Sequence, residues 1–262
     1  VGFSEAQFQA AVDKINAGLR DLSSKIEQVR PAAEAAANQW YVPDVVKDAV
    51  LWLAEKAISL AKSVWNKIVE VLKGVAAPVW FFKYAFDWAD VKGLATDVAG
   101  QLKPEAMTGT QRWHGEAAEA YRKHITPQGQ AAARIGTLAD KISIALGICA
   151  TAGLAFYVSI GVILAKFIVA MVGIIASLGS VAFSWVGVGL AVEEASVNTG
   201  FIIAAVSTLT AALGAQAQQL VALHSEAVDN NTFPGGTWPN PVTTTYNDAS
   251  VKDGTARWSM AQ

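Results

Sequence analysis

The sequence predicts an all-α fold: an elongated helical bundle with two hairpins, one turning tightly at Trp113–Gly115 and one hydrophobic and suited to entering a membrane. Three observations point there. Apolar residues recur at steps of three and four in two long stretches, Phe8 to Val29 and Val46 to Val71, the period of an amphipathic helix. A Trp and a Gly two apart, at 113 and 115, stand between helical stretches where a hairpin turn belongs. Ile142 to Leu223 is almost free of charge, its only ionised side chains being Lys166, Glu193 and Glu194. The chain divides on this pattern into amphipathic helices over 1–141, apolar helices over 142–228 and a polar tail over 229–262.

Composition narrows the function classes. Only 16% of the 262 residues are charged and 53% are hydrophobic, well below the charged share of about 25% in a soluble domain. Mean hydropathy is +0.32. Lys plus Arg is 20 against 22 for Asp plus Glu, and the basic residues are spread among acidic ones. Neither the balance nor the pattern suits nucleic acid. The single cysteine, Cys149, excludes an intrachain disulfide. No secretory signal peptide is visible, because Val1 to Glu5 already read as the polar start of a helix. The chain does not begin with Met, which leaves a removed leader open.

Ser4 and Gln7 form a capping box that opens the first helix. Phe8, Val12, Ile15, Leu19, Leu22, Ile26 and Val29 then follow at alternating steps of four and three, flanked by Lys14, Arg20, Asp21, Lys25 and Glu27. This narrow heptad stripe requires a facing helix. It is either an internal helix of the bundle or a seam for a partner chain or a second copy. Pro31 and an Ala-rich run blur the helix end, and Trp40-Tyr41-Val42-Pro43 marks a break. Pro43 suits the first position of a second helix, with Asp44 and Asp48 near its positive end. Gly74 weakens that helix and Pro78 interrupts it.

Pro78 to Trp88 holds six aromatics in eleven residues. Trp80, Tyr84 and Trp88 suit a membrane-interface anchor, since Trp and Tyr favour the headgroup level. The same cluster would equally serve as an aromatic knot where helices cross. A third helix is expected from Val91 to Lys103.

Gln111-Arg-Trp113-His-Gly115-Glu-Ala-Ala-Glu-Ala-Tyr121 is the most specific motif of the chain. Gly115 permits close backbone approach or positive φ, Trp113 covers the crossing, and Tyr121 fills the groove beside three alanines. The motif resembles the WXG-motif family of type VII secretion substrates, whose consensus is Trp-x-Gly-x-Ala-Ala-x-Ala-aromatic. The match is complete over nine residues, Trp113 to Tyr121, and the resemblance covers about 94–141. It implies a helical hairpin, a small WXG-motif partner or a homo-oligomer, and a secreted or cell-envelope location. Larger members of the family act as secreted effectors or membrane-active components, and this chain resembles those. The chain departs from the family in its long apolar region. It also lacks the export signal, a Tyr followed four residues later by Asp or Glu. Tyr41, Tyr84, Tyr121, Tyr157 and Tyr246 are followed there by Val45, Trp88, Ile125, Gly161 and Ser250. Either a partner carries the signal or export takes another route.

After Thr126-Pro127 a helix is expected to resume at Gln128 and enter the apolar stretch, where Gly179-Ser180 is the best turn signal. Lys166 precedes Gly179 by thirteen residues and Glu193 follows Ser180 by thirteen. In an antiparallel hairpin these charges come level, roughly 20 Å from the tip. Lys166 is therefore expected to face Glu193 or Glu194, because an unpaired charge in an apolar setting is costly. Gly173, Ser177, Gly187 and Gly189 suit close helix contact. Each tip arm is only about 18 Å long, against a hydrocarbon core of roughly 30 Å. Spanning then pulls the charge layer into the membrane or places it along a wet pore. The alternative is a buried soluble core. The tail, with Trp238, Tyr246 and Trp258, has side chains with which to dock.

Catalytic chemistry is not legible. There is no phosphate loop, no Gly-x-Ser-x-Gly, no His-Glu-x-x-His and no cysteine pair. His114, His124 and His224 are scattered, and no cofactor, metal or small-molecule substrate is expected. A lipid membrane and a helical partner remain the expected contacts.

Overall fold

Ser4 starts the first helix as expected: its Oγ accepts from the Gln7 amide at 3.4 Å, and helix α1 runs Glu5–Ala37. The computed structural model describes residues 2–40, 42–108, 116–179, 185–228 and 231–239, with backbone only at 116–118, 120, 179 and 185–203. Among these residues the helices pack into a bundle and no strand occurs. After α1 come α2 (Asp44–Leu72), α3 (Ala77–Gln101), α4 (Glu116–Gly179) and α5 (Trp185–Ala227). A 3-10 turn follows at Pro234–Gly236, where Gly235 and Gly236 take φ of 64° and 73°, a region other residues avoid.

The helices form two compact units, neither continuous in sequence: residues 1–81 with 148–214, and 82–147 with 215–262. The apolar part of α4 therefore shares a unit with α1 and α2, a grouping that cuts across the linear three-part reading.

In the first unit, α1, α2 and α4 bury their stripes against one another. Ile15, Leu22, Val29, Val64, Ile68, Ile160, Phe167 and Met171 are almost completely buried, each contributing roughly 1.5–3 kcal/mol. Tyr157 joins three helices. Its ring meets Phe8 edge-on at 5.3 Å, and its hydroxyl donates to the Val71 carbonyl at 3.0 Å. The start of α1 thus lies level with the end of α2, so those helices are antiparallel. Along α4, Tyr157 meets Phe8, Gly161 meets Ile15, and Leu164 and Ile168 meet Gly18. The positions rise together, so α1 and α4 run parallel. The close approaches use glycine: a Cβ on Gly153 would lie 2.5 Å from Pro78 Cγ, and one on Gly18 would lie 2.7 Å from Leu164 Cδ2.

In the second unit, α3 and α4 are antiparallel and close. Gly136 faces Thr96, Gly129 faces Leu102, and Ser143 Oγ donates to the Ala85 carbonyl at 2.7 Å. Lys92 bridges to Asp140 at 2.8 Å. The end of α5 is held on α4 by Glu226, which accepts from Lys141 Nζ with both oxygens at 3.0 Å and lies 3.3 Å from Arg134 Nη2.

Three expectations change. Helix α1 continues through Pro31 instead of fading there, and α4 continues through Pro127, where a restart was expected. Proline removes one amide donor and strains the preceding turn, but buried residues bracket both sites: Val29 and Ala33 around Pro31, Ile125 and Ala131 around Pro127. Their packing holds the helix. The aromatic run belongs to α3, which begins at Ala77 and not at Val91. Pro78 falls in its first turn, where a missing amide costs nothing. Of the two readings of the α1 stripe the packing matches the internal helix: Phe8, Val12, Ile15, Leu19 and Leu22 are buried and Ile26 packs beside them. That stripe is occupied by the chain's own helices, and in this conformation it presents no seam to a partner.

Candidate membrane- and partner-facing surfaces

The apolar part of α4 has two unlike faces. Leu154, Tyr157, Ile160, Leu164, Phe167 and Met171 repeat at helical spacing and point into the core. On the other side, Val158, Val162, Val169 and Val172 are exposed, Val169 by 72%. Ala155, Ala165 and Ala176 extend this face, and only Ser159 and Lys166 interrupt it with polarity. An amphipathic helix of a soluble bundle places charges on its outer face. Here each exposed valine leaves unrealised a part of the roughly 1.5 kcal/mol that full burial would give. Among the described residues, α4 is the one helix long and apolar enough to cross a membrane, and only 39% of its most apolar 18 residues is buried.

Lys166 is exposed on that face and forms no ion pair with a described residue. Glu193 and Glu194 fall within α5, but their side chains lie outside the described residues. Helix α4 ends on Gly179, where the turn is expected, and Ser180 lies outside the described residues. Among the described residues, none comes within 4 Å of where a Cβ on Gly173 would stand.

Trp113 and Gly115 also lie outside the described residues. Helix α4 begins at Glu116, directly after them, and Tyr121 is half-buried in its first turns. Trp80, Tyr84 and Trp88 are exposed on α3, and Phe82 meets Phe86 edge-on at 4.9 Å. Trp40, in the α1–α2 connection, is 93% exposed. Lys56 stands over the Trp52 ring at 5.6 Å, a cation–π contact at the surface. Tyr246 and Trp258 lie outside the described residues.

The charged chemistry is sparse. Lys141, through its hydrogen bond, holds the Glu226 carboxyl below its ordinary value; partial desolvation opposes this, and the charges of Lys141 and Arg134 reinforce it. An open groove of about 460 Å³ between α1 and α2 is lined by Ser23, Ile26, Glu27, Lys62, Trp65 and Asn66. It contains no nucleophile–base pair. No cluster of three metal-ligating side chains occurs among the described residues.

Two features escaped the sequence analysis. The Glu226 clamp joins residues 85 positions apart, and no local pattern announces it. The outer stripe of α3 did have a signal, a 4-3-4-3 spacing through Tyr84, Trp88, Val91, Ala95 and Val98, hidden because the helix was expected to begin inside it.

No family model, curated protein or solved structure matches the chain.

Proposed function

We propose that this is a membrane-active helical protein of the WXG-motif type, exported by type VII secretion to the cell surface or beyond, and that its apolar helices form an oligomeric pore or channel. The observation that carries the proposal is the valine face of α4, exposed where a soluble helix would be charged. The motif from Trp113 to Tyr121 supports the family assignment. The membrane-inserting unit is the hairpin of α4 and α5 turning at Gly179–Ser180, with Lys166 opposite Glu193 or Glu194. In an oligomer this layer lines a wet path; in a single hairpin it must pair to be tolerated. Insertion frees α4 from α1 and α2, whose own stripes then become available to a partner or another copy. We assign the protein no catalytic step.

The buried side of α4 favours a second reading. Phe167, Met171 and Ile174 are fully buried, as in a core helix of a non-lytic binding module that pairs with a small WXG-motif chain.

Dye release from liposomes, with sedimentation of the same sample, separates the two. Release with a lipid-bound oligomer supports the pore. A soluble protein that neither binds nor leaks vesicles refutes it and leaves the binding module. Within the pore reading, Lys166→Glu should abolish release, and Glu193→Lys or Glu194→Lys on that background should restore it. Rescue by neither sinks the paired layer.

A further inference from the structure

The second unit carries an apolar face that the pore proposal does not use. Around α3, Ala85, Lys92 and Thr96 meet α4. At 100° per residue, Tyr84, Trp88, Val91 and Val98 form a stripe about a quarter-turn away. All four are exposed, and Leu94, at the edge of the stripe, is 71% exposed. The steps of the stripe are those of a heptad seam, the spacing that receives the knobs of another helix. Around Leu94, on the side away from α4, lie Asp87, Asp90 and Asp97, all exposed, and Lys83 stands among them with an interaction of its own, leaving the border acidic by three carboxylates to one amine. Asp97 accepts from Gln101 at 2.9 Å, and none of the three forms an ion pair with a described residue. The cation on the other side, Lys92, is already engaged by Asp140.

We propose that this face of α3 docks an amphipathic helix of another protein, one with an apolar stripe at three–four spacing bordered by Lys or Arg. The spacing selects a helix, and the carboxylates select its charge. Three acidic groups beside the stripe oppose an anionic lipid surface, which attracts basic borders instead. A second copy offers no match of charge among the described residues. The lysines Lys56, Lys62 and Lys67 of α2 flank no apolar stripe on its outer face, the α1 stripe is buried, and the exposed valine stripe of α4 carries one cation, Lys166, against three carboxylates. This inference is independent of the pore.

The test selects peptides from a displayed library of helices on the full chain and discards those that also bind Leu94→Asp. Enriched sequences are expected to carry a three–four apolar stripe with a Lys or Arg border. A synthetic copy should lose affinity about tenfold when Asp87, Asp90 and Asp97 are changed to Asn together, the summed effect of three rim ion pairs. It should lose at least that much on Leu94→Asp or Trp88→Ala, with the melting temperature of each variant unchanged. No enrichment, or enrichment without the basic border, overturns the proposal. So do three other outcomes: phosphatidylglycerol vesicles that bind the wild type but not Leu94→Asp, self-association lost in Leu94→Asp, or peptide binding that appears only after removal of residues 240–262. These identify the occupant as lipid, a second copy, or the chain's own C-terminal segment.

Discussion

The contact between Gly153 and Pro78 is the tightest of the glycine approaches, and Gly153→Ala tests it. The new methyl carbon would lie 2.5 Å from Pro78 Cγ and 2.8 Å from Cβ, about 1 Å inside ordinary carbon–carbon contact. The pyrrolidine ring has no rotamer to escape into. Overpacking of this kind costs about 1–3 kcal/mol, and replacing a mid-helix glycine returns up to about 1 kcal/mol. The net expectation is a loss of about 1–2 kcal/mol. At roughly 2–4 °C per kcal/mol for a chain of this size, the melting temperature should fall several degrees. Gly173→Ala is the control on the same helix, since no described residue lies within 4 Å of where its Cβ would stand; it should stabilise by about 0.5–1 kcal/mol. Pro78→Ala should relieve the clash, so that the double variant is less destabilised than the sum of the singles by about 1 kcal/mol. The assay is thermal unfolding by circular dichroism under one solvent condition. If Gly153→Ala melts at or above the wild type, or if the cycle shows no coupling, the packing of α3 on α4 described here is wrong.

Three further outcomes are expected. Tyr157→Phe removes the hydroxyl that donates to Val71 and should cost about 1 kcal/mol; urea unfolding measures it. Leu22→Ala opens a cavity at a completely buried site and should cost about 2–5 kcal/mol whether or not a partner is present. A variant that keeps wild-type stability but loses self-association in ultracentrifugation would return the α1 stripe to its reading as an intermolecular seam. The Glu226 carboxyl is held below its usual 4.5, so its contribution is complete above about that pH and lost as pH falls through the depressed value. In acid titrations followed by ellipticity, Glu226→Gln should lack this component. Equal acid sensitivity of variant and wild type below pH 4.5 would show that the clamp carries no stability.

The parts of the fold legible in the sequence are those governed by local rules. The Ser4 cap depends on residues three apart, and the stripes of α1 and α2 follow the helical period, so both could be read directly. Pro31 and Pro127 show where local rules lose. A mid-helix proline costs about 3 kcal/mol, and only the structure shows the burial of Val29, Ala33, Ile125 and Ala131 that outweighs it. Neither the parallel docking of α4 on α1 nor the clamp at Glu226 could be read, because each joins distant residues and leaves no periodic trace. At the surface, the sequence suits Tyr84 and Trp88 equally to an anchor or to an aromatic knot, and gives no link to Val91, Leu94 and Val98 on the same helix, because the helix is expected to begin at Val91.

The parallel alignment of α1 with α4 also sets a schedule. Phe8 meets Tyr157, and Gly18 meets Leu164; each pair is separated by nearly 150 residues. At about 5–20 residues per second, a ribosome takes roughly 7–30 s to supply the second member of each pair. The α1–α2 hairpin emerges long before the helix that completes its core, and closing so wide a loop is slow. During that interval Phe8, Ile15 and Leu19 form a greasy strip on a nascent chain. A holdase should therefore bind ribosome-stalled chains ending before residue 150 and release those long enough for Tyr157 to Ile168 to have left the ribosome, so that the fate of the newborn polypeptide is decided by the α1 stripe.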